Sequence, residues 1–301
     1  MKIQLPKPEA HSRRAFLLAA ASTCLIEAAE PIIDIHQHTH YSGRSDDELI
    51  AHQREMGIAK TVLLPAGSKY GLAADAYGND SVVEVCRRYP GEYLFFANEL
   101  PDIPEARPVI EKYLKMGAIG IGEQKYPVDS DSAHIDLIAS IARAFDVPVL
   151  LHFQHKAYNF GFENFHKTLK KHPRVNFIGH AQTFWGNIDK NHDQAVMYPK
   201  GPVTPGGITD RLLADYPNMY ADLSAGSGLN AFERDAEHAR AFIKRHQNKL
   251  LYGSDCSDRV GKGKPCSGSQ QIAAVRRLSP SPAVSRKLLY GNAARVLKIK
   301  G

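Results

Sequence analysis

Eight short apolar segments alternate with segments of helical periodicity from residue 31 onward, and this alternation constrains the fold more than any other feature. Nearly continuous apolar runs are typical of parallel strands that are covered on both faces. The predicted strands span 31–38, 60–66, 92–99, 117–123, 147–153, 175–180, 219–224 and 249–255. The predicted helices span 45–56, 80–89, 104–116, 133–145, 162–172, 208–216 and 231–246, with further helical segments in the tail. The pattern predicts an α/β fold, a single-domain (β/α)8 TIM barrel over residues 31–301.

Charge gives only a weak indication of partners. The chain has 301 residues and a net charge of +6; its first 29 residues carry four Lys/Arg and two Asp/Glu, so the rest is close to +4. There is no dense Lys/Arg run with interleaved aromatic residues, so we expect no nucleic-acid partner. A small-molecule substrate is expected, and homo-oligomerisation stays open.

The first thirty residues have the pattern of an export leader. Ser12-Arg13-Arg14-Ala15-Phe16-Leu17, followed by an Ala-rich apolar segment, resembles a twin-arginine signal. The apolar segment is short and is interrupted by Glu27, so it does not predict a stable membrane span. We therefore predict a leader over 1–30 and a periplasmic protein, tethered to the membrane if the leader is not cleaved. An ordinary amphipathic N-terminal helix is the alternative.

Polar side chains stand at the ends of four of the predicted strands. His36 and His38 end the first, His152 the fifth, His180 the sixth and Asp255 the eighth. An H-x-H pair on a strand puts both imidazoles on one face, and the C-terminal ends of barrel strands form the active site. Imidazole nitrogen and carboxylate oxygen are ligands of Zn²⁺ and its first-row neighbours. The sequence therefore predicts a divalent-metal site, with Zn²⁺ as the first choice.

The end of the fourth strand adds one acidic and one basic residue. Glu123 and Lys125 share strand parity, so either one can face the barrel interior. Glu123 is preferred as a metal ligand because it follows directly on the apolar run and is charged without modification. An ion pair at the barrel mouth is the alternative, so the number of metal ions stays open between one and two.

The segments IIDIHQH, PVLLH, FIGHA, YGSD and LLYGNAARVL together resemble the amidohydrolase superfamily, in its branch of amidohydrolase-related TIM-barrel hydrolases. The resemblance runs from residue 31 to the C-terminus. It implies that His36, His38 and His152 bind metal. It also implies that His180 binds a second metal or contacts substrate, and that Asp255 lies against the metal and its water and shuttles a proton.

The predicted activity is hydrolysis of an amide, lactone or ester bond in a small molecule. A divalent ion lowers the pKa of a bound water, and Asp255 accepts the proton. One alternative is a metal-dependent, non-oxidative decarboxylase, which Glu123 turned away from the metal and a basic pocket residue such as Arg44 would favour. A phosphoesterase or nuclease, and a non-catalytic metal-binding barrel, are further alternatives.

Loop residues supply the remaining predictions. Arg44 and Arg259 follow the first and eighth strands and are predicted to hold an anionic group of the substrate. Tyr158 and Trp185 are predicted to form an apolar pocket wall. The polar segment 186–206 has the length of a lid or substrate loop.

The cysteines point to no particular chemistry. Cys256 and Cys266 flank one loop and are able to form a disulfide in an oxidising compartment. The absence of a C-x-x-C motif argues against a thiolate zinc site.

Overall fold

The apolar runs form eight parallel strands in the residues that the computed structural model describes, which are Met1, 30–68 and 75–300. The strands are β1 (Ile32–Gln37), β2 (Ile58–Leu63), β3 (Tyr93–Phe95), β4 (Ile121–Gln124), β5 (Val149–His152), β6 (Phe177–His180), β7 (Met219–Asp222) and β8 (Leu250–Leu251). Each overlaps its predicted segment.

The strands follow one another in sequence order around a closed sheet. Hydrogen-bond ladders join neighbouring strands in the order β1-β2-β3, and a second set joins them in the order β4-β5-β6-β7-β8. Between β3 and β4, the Ala97 N–H donates to the Gly120 carbonyl at 2.9 Å. The Ile35 N–H donates to the Tyr252 carbonyl at 3.1 Å and so connects β8 to β1. The predicted (β/α)8 barrel is therefore confirmed.

Helices cover the outside of the barrel. In the described residues they are α1 (Asp46–Glu55), α2 (Asn79–Arg88), α3 (Ala106–Lys115), α4 (Ala133–Phe145), α5 (Phe165–Lys171), α6 (Gln182–Gly186), α7 (Ile208–Asp215), α8 (Ala225–Glu233), α9 (Ala236–His246), α10 (Ser267–Leu278), α11 (Pro282–Arg286) and α12 (Asn292–Val296). A π-helical turn spans Lys287–Gly291, and 3₁₀ turns span Tyr41–Gly43 and Phe162–Asn164. Five of the seven helices predicted with bounds, those that correspond to α1 to α4 and α7, begin and end within two residues of the prediction.

The single helix predicted over 231–246 is wrong. The structure has two helices there, α8 and α9, and the chain leaves the helical conformation at Asp235, whose φ is −149°. The Asp235 carboxylate accepts the His238 N–H at 3.0 Å and the Val203 N–H at 2.9 Å. An aspartate at this position satisfies a free N–H of the first turn, so it begins a new helix.

Strand β1 is irregular where it carries the two histidines. Ile33 and Ile35 pack in the apolar interior of the barrel, whereas Asp34 turns outward and accepts a hydrogen bond from Gln53 of α1 at 2.8 Å. The register of β1 against β2 shifts between Asp34 and Gln37. Because one extra residue reverses strand parity, His36 also points into the barrel.

None of the helices in the described ranges is long and apolar enough to cross a membrane. The predicted leader with its twin-arginine motif lies outside those ranges, apart from its end residues Met1 and Glu30.

Candidate metal centre

Four of the predicted ligands meet at the C-terminal end of the barrel. The Nε2 atoms of His36 and His38 are 3.1 Å apart. The Oε2 atom of Glu123 is 3.6 Å from each of them. The Oδ1 atom of Asp255 is 3.8 Å from Nε2 of His36 and 3.5 Å from Nε2 of His38. The side chains of β1, β4 and the segment after β8 therefore surround one point.

The two other predicted histidines border the same point. The Nε2 atom of His180 lies 3.5 Å from Oδ2 of Asp255 and 3.8 Å from Oε1 of Glu123. The Nδ1 atom of His152 lies 2.5 Å from Oε1 of Glu123, and its Nε2 lies 3.1 Å from Oε1 of Gln154. His152 thus presents Nδ1 to the cluster, and its contact with the cluster runs through Glu123.

Hydrogen bonds on the far side of the rings fix the tautomers of the H-x-H pair. The Nδ1 atom of His36 is 2.6 Å from Oδ2 of Asp222, and Nδ1 of His38 is 2.7 Å from the Leu64 carbonyl oxygen. Ionised carboxylate and carbonyl oxygens only accept, so each Nδ1 carries a proton that it donates. In a neutral imidazole Nε2 then presents a lone pair, and two such lone pairs 3.1 Å apart are bridged by a cation, either a proton or a metal ion.

The buried carboxylate of Asp222 also orients the ring of His180, through Ser224. The Ser224 hydroxyl donates to Oδ2 of Asp222 at 2.8 Å, and its oxygen lies 2.9 Å from Nδ1 of His180. Nδ1 of His180 therefore donates to Ser224, and its Nε2 presents a lone pair to the cluster. Sequence reasoning missed Asp222 and Ser224, although Asp222 ends the apolar run of β7 as the other site residues end theirs.

The electrostatics of the cluster favour positive charge at its centre. Burial opposes protonation of His36, yet the carboxylates of Asp255 and Asp222 raise its pKa well above the ordinary value. Burial by itself raises the pKa of a carboxyl group, but three histidines (His36, His180 and His38) hold that of Asp255 well below its usual range. Burial lowers the pKa of His152 to about 4, so this ring is neutral.

Glu123 is also held in its ionised form. Burial on its own would raise the pKa of its carboxyl group, but the nearby Lys125 ammonium and His152 keep it well below the usual range. Two ionised carboxylates, the buried Glu123 and the partly buried Asp255, therefore face the same point with full negative charge. A divalent cation balances that charge.

The spacing of these donors matches a first-row divalent ion. Zn–N distances of about 2.0–2.1 Å place two nitrogen ligands about 2.9–3.4 Å apart in tetrahedral or octahedral geometry. The separation in the H-x-H pair, 3.1 Å, falls in that range. Nε2 of His180 and Oδ1 of Asp255 are buried without a hydrogen-bond partner, which a metal ion would provide. The residues present therefore fit a divalent metal.

Local backbone features bring Asp255 to this point. At Gly253 a Cβ atom would lie 2.4 Å from Oδ1 of Asp222 and 2.9 Å from Cβ of His36, so only glycine allows the chain to pass. Asp255 has a φ of +39°, and its N–H donates to the His36 carbonyl at 2.9 Å. A left-handed aspartate is strained, and such strain is found at functional sites.

The two arginines predicted to bind substrate lie elsewhere. Arg44 is 1% exposed, and its guanidinium donates to the carbonyls of Cys256 and Asp258, each at 2.9 Å, and to Oε1 of Gln37. It therefore joins the loops after β1 and β8 and leaves no face for a substrate. Arg259 is exposed and pairs with Glu48 at the start of α1.

The two predicted wall aromatics also differ from each other. Trp185 is 1% exposed, packs against Phe184 and Phe232, and donates its indole N–H to the Asp222 carbonyl at 2.8 Å. It is a core residue that supports Asp222. Tyr158 is partly exposed, and its ring centroid lies 5.5 Å from that of His152, edge to face.

The mouth of the barrel also contains groups that sequence reasoning overlooked or ranked low. Nζ of Lys125 lies 5.6 Å from the ring centroid of Tyr158, next to His152. Tyr41 packs edge-on against His38, and burial together with Asp255 raises the pKa of its hydroxyl.

The segment between α6 and α7 approaches this mouth as a lid would. Sδ of Met197 is 3.8 Å from Nε2 of Gln154, the residue that contacts His152. Its neighbours Val196 and Tyr198 are exposed, 42% and 45%. Gln194 of this segment lines a cavity with Gln154 and residues 155–163. The predicted loop therefore lies beside the candidate centre.

Comparison with known proteins identifies one matching family and a set of structures of similar fold. The family model described as Amidohydrolase matches residues 33–299. Comparison with curated proteins gives no match.

Three solved structures illustrate the similarity in fold. An uncharacterised TIM-barrel protein from Bordetella bronchiseptica has 15% identity and a TM-score of 0.64, with 89% of this chain and 98% of that chain covered. A putative 2-pyrone-4,6-dicarboxylic acid hydrolase from Pseudomonas putida has 14% identity and a TM-score of 0.61, covering 90% and 98%. A 5-carboxyvanillate decarboxylase from Novosphingobium aromaticivorans, complexed with manganese and a nitrobenzoic acid, has 16% identity and a TM-score of 0.53, covering 83% and 79%.

Proposed function

The chain belongs to the Amidohydrolase family, and we propose that it is a divalent-metal-dependent hydrolase that cleaves an amide, lactone or ester bond of a small molecule. One observation carries the proposal. The Nε2 atoms of His36 and His38 face each other at 3.1 Å, with the ionised carboxylates of Glu123 and Asp255 beside them. Zn²⁺ is the proposed ion, because nitrogen and oxygen donors suit it and it activates water without redox chemistry.

The proposed ligands are His36, His38, Glu123, His152, His180 and Asp255. A divalent ion held by them lowers the pKa of a water molecule and polarises the carbonyl of a substrate. Nδ1 of His152 faces the cluster and would serve as a ligand once the proton that it donates to Glu123 is lost. Glu123 presents two oxygens, which leaves room for one ion or for two.

Asp255 is the proposed general base. Its carboxylate is ionised, and Oδ1 has no hydrogen-bond partner, so it is free to accept a proton from the attacking water. It then returns the proton to the leaving group. Nε2 of His180 lies 3.5 Å from its Oδ2 atom and presents a lone pair to the same point. The Tyr41 hydroxyl stays protonated and is able to donate to Asp255 or to substrate.

Two placements favour hydrolysis over decarboxylation. Glu123 faces both histidines of the H-x-H pair and does not turn away from the centre. Arg44, the basic residue that would have favoured an acid-binding pocket, is enclosed between two loops. Decarboxylation is the second candidate, because Lys125 supplies a cation at the mouth and decarboxylases appear among the structures of similar fold.

Export belongs to the same proposal. We infer from the sequence that residues 1–30 are a twin-arginine leader and that the mature enzyme is periplasmic. That route exports folded proteins, which suits an enzyme that acquires its metal before it leaves the cytoplasm.

The test measures metal content and the reaction together. Protein purified without chelators is analysed for metal, then assayed with lactones, esters, amides and aromatic carboxylic acids in ¹⁸O-labelled water. Hydrolysis places the label in the product, whereas decarboxylation releases CO₂ and leaves it unlabelled. We expect labelled product that disappears when the metal is removed. Release of CO₂ alone would establish the second candidate, and the absence of bound metal would refute both.

A further inference from the structure

A second group of metal-binding side chains lies between α1, the segment after β8 and the start of α10. His52, Cys256 and Cys266 are all buried. The two Sγ atoms are 3.7 Å apart, and Nε2 of His52 is 3.4 Å from Sγ of Cys266. The thioether of Met56 is 3.5 Å from the same sulfur. Three sulfur atoms and one imidazole nitrogen therefore lie close together in the interior.

The spacing of the two sulfurs is that of two ligands and not that of a bonded pair. A disulfide has an S–S distance of about 2.0 Å. Two thiolates on a tetrahedral zinc, each about 2.3 Å from the ion, are about 3.8 Å apart, and a thiolate and an imidazole nitrogen are about 3.5 Å apart. The structure has 3.7 and 3.4 Å. Both separations agree with tetrahedral coordination.

The tautomer of His52 directs a lone pair at the sulfurs. Nε2 of Gln53 donates to Oδ2 of Asp34 and to Oγ1 of Thr61, each at 2.8 Å, which identifies Oε1 as the acceptor end of this amide. Nδ1 of His52 lies 3.0 Å from that Oε1 and therefore donates to it. The other ring nitrogen then carries the lone pair and faces Cys266.

A backbone donor reaches the sulfur of Cys266. This residue is the N-cap of α10, and its sulfur accepts the Ser269 N–H at 3.3 Å. Oxygen-bearing side chains are the usual N-caps, and a thiol accepts hydrogen bonds only weakly. A sulfur bound to a metal ion as a thiolate would accept this bond more strongly.

We propose that His52, Cys256 and Cys266 bind a structural Zn²⁺ ion, with the Met56 thioether as the fourth donor. Zn²⁺ displaces the two thiol protons, which pass to solvent, and the two thiolates neutralise the charge of the buried ion. The ligands come from three separate segments, which is why the absence of a C-x-x-C motif pointed away from such a site. The ion joins α1 and α10 to the segment that carries Asp255.

Cobalt spectroscopy separates this site from the candidate active centre. The protein is reduced, freed of metal with a chelator and titrated with Co²⁺. Thiolate ligands give an intense near-ultraviolet charge-transfer band, whereas the active centre offers only nitrogen and oxygen donors. We expect the band in the wild-type protein and its loss in Cys266→Ser, with one zinc equivalent fewer in protein as purified. Serine is a good N-cap, so this variant retains the start of α10.

Matched variants control for another thiol and for the active centre. Cys86→Ser is expected to keep the band, because Cys86 is not one of the proposed ligands. His38→Ala is expected to keep it as well, even if the proposed hydrolase function is wrong. Circular dichroism verifies folding, and His52→Asn provides a second ligand variant that leaves both cysteines in place; it should weaken Co²⁺ binding and shift the band.

Three results would overturn the proposal. One is a reduced wild-type protein that binds Co²⁺ without a thiolate band. Another is a band that persists unchanged in Cys266→Ser. The third is a Cys256–Cys266 disulfide, found by mass spectrometry in protein purified without reductant.

Discussion

Asp255 and Cys256 are consecutive in the chain, yet their side chains belong to two different clusters. The carboxylate of Asp255 lies 3.5 Å from Nε2 of His38 inside the barrel, whereas Sγ of Cys256 lies 3.7 Å from Sγ of Cys266 outside it. The two side chains leave the segment in different directions, so one short segment serves both clusters. The position of the proposed base therefore depends on how firmly this segment is held.

Asp255→Asn should keep the metal and lose turnover. The amide retains the shape of the carboxylate but cannot accept a proton, and general-base catalysis contributes about 10²–10⁴-fold to rate. We expect kcat to fall by about that factor with metal content near that of the wild type. Steady-state kinetics and elemental analysis on the same sample measure both. Normal turnover in the variant would assign the base to another residue.

Asp222→Asn should weaken metal binding although Asp222 is not a proposed ligand. It fixes the tautomer of His36 directly and that of His180 through Ser224. Loss of such an outer partner lowers metal affinity by about 10–100-fold. Competition with a chromophoric chelator measures this constant, and Asp215→Asn on the exposed end of α7 is the control. Equal affinities in the two variants would show that Asp222 does not orient the ligands.

Arg44 and Arg259 should differ sharply in their effect on stability. Arg44→Met removes the donor from the Asp258 carbonyl, one of two donors from the Cys256 carbonyl and a partner of Oε1 of Gln37, so we expect a loss of about 3 kcal/mol in the free energy of unfolding. Arg259→Met removes an exposed ion pair and should cost at most about 1 kcal/mol. Urea denaturation compares them. A stable Arg44→Met protein with a raised KM would instead restore the predicted substrate role.

Lys125→Met should raise KM selectively for substrates with an anionic group. The ammonium lies beside Tyr158 at the mouth and acts on Glu123 through its charge. Removing one charge–charge contact with a substrate should raise KM by about tenfold, while kcat changes less. Kinetics on a charged substrate and its neutral amide or methyl ester measure the effect. An identical change for both substrates would rule out a contact with the anionic group.

The barrel and most of its ligand positions were predictable from local pattern. Parallel strands of a closed sheet end at one rim, so His36, His152 and Asp255 had to approach each other once eight strands alternated with helices. The H-x-H spacing fixed only that two imidazoles share a face. The roles of these residues stay predictions, whereas their convergence is a feature of the structure.

The break between two helices and the burial of one arginine could not be predicted from local sequence pattern. The break between α8 and α9 depends on the Asp235 cap, which competes with a helical pattern that continues through it. In the sequence Arg44 cannot be distinguished from an exposed loop arginine. Only the folded structure shows that the loops after β1 and β8 enclose it.

The sequence by itself determined the fold class, the rim at which the polar side chains meet and the chemistry those side chains offer. These follow from strand parity and hydrophobic periodicity, which act between near neighbours. Only the tertiary structure decided which partners complete each group: Asp222 behind His36, Glu123 against His152, and His52 beside Cys266. Each of these contacts joins residues 29 or more positions apart, and closure of the barrel sets their distances.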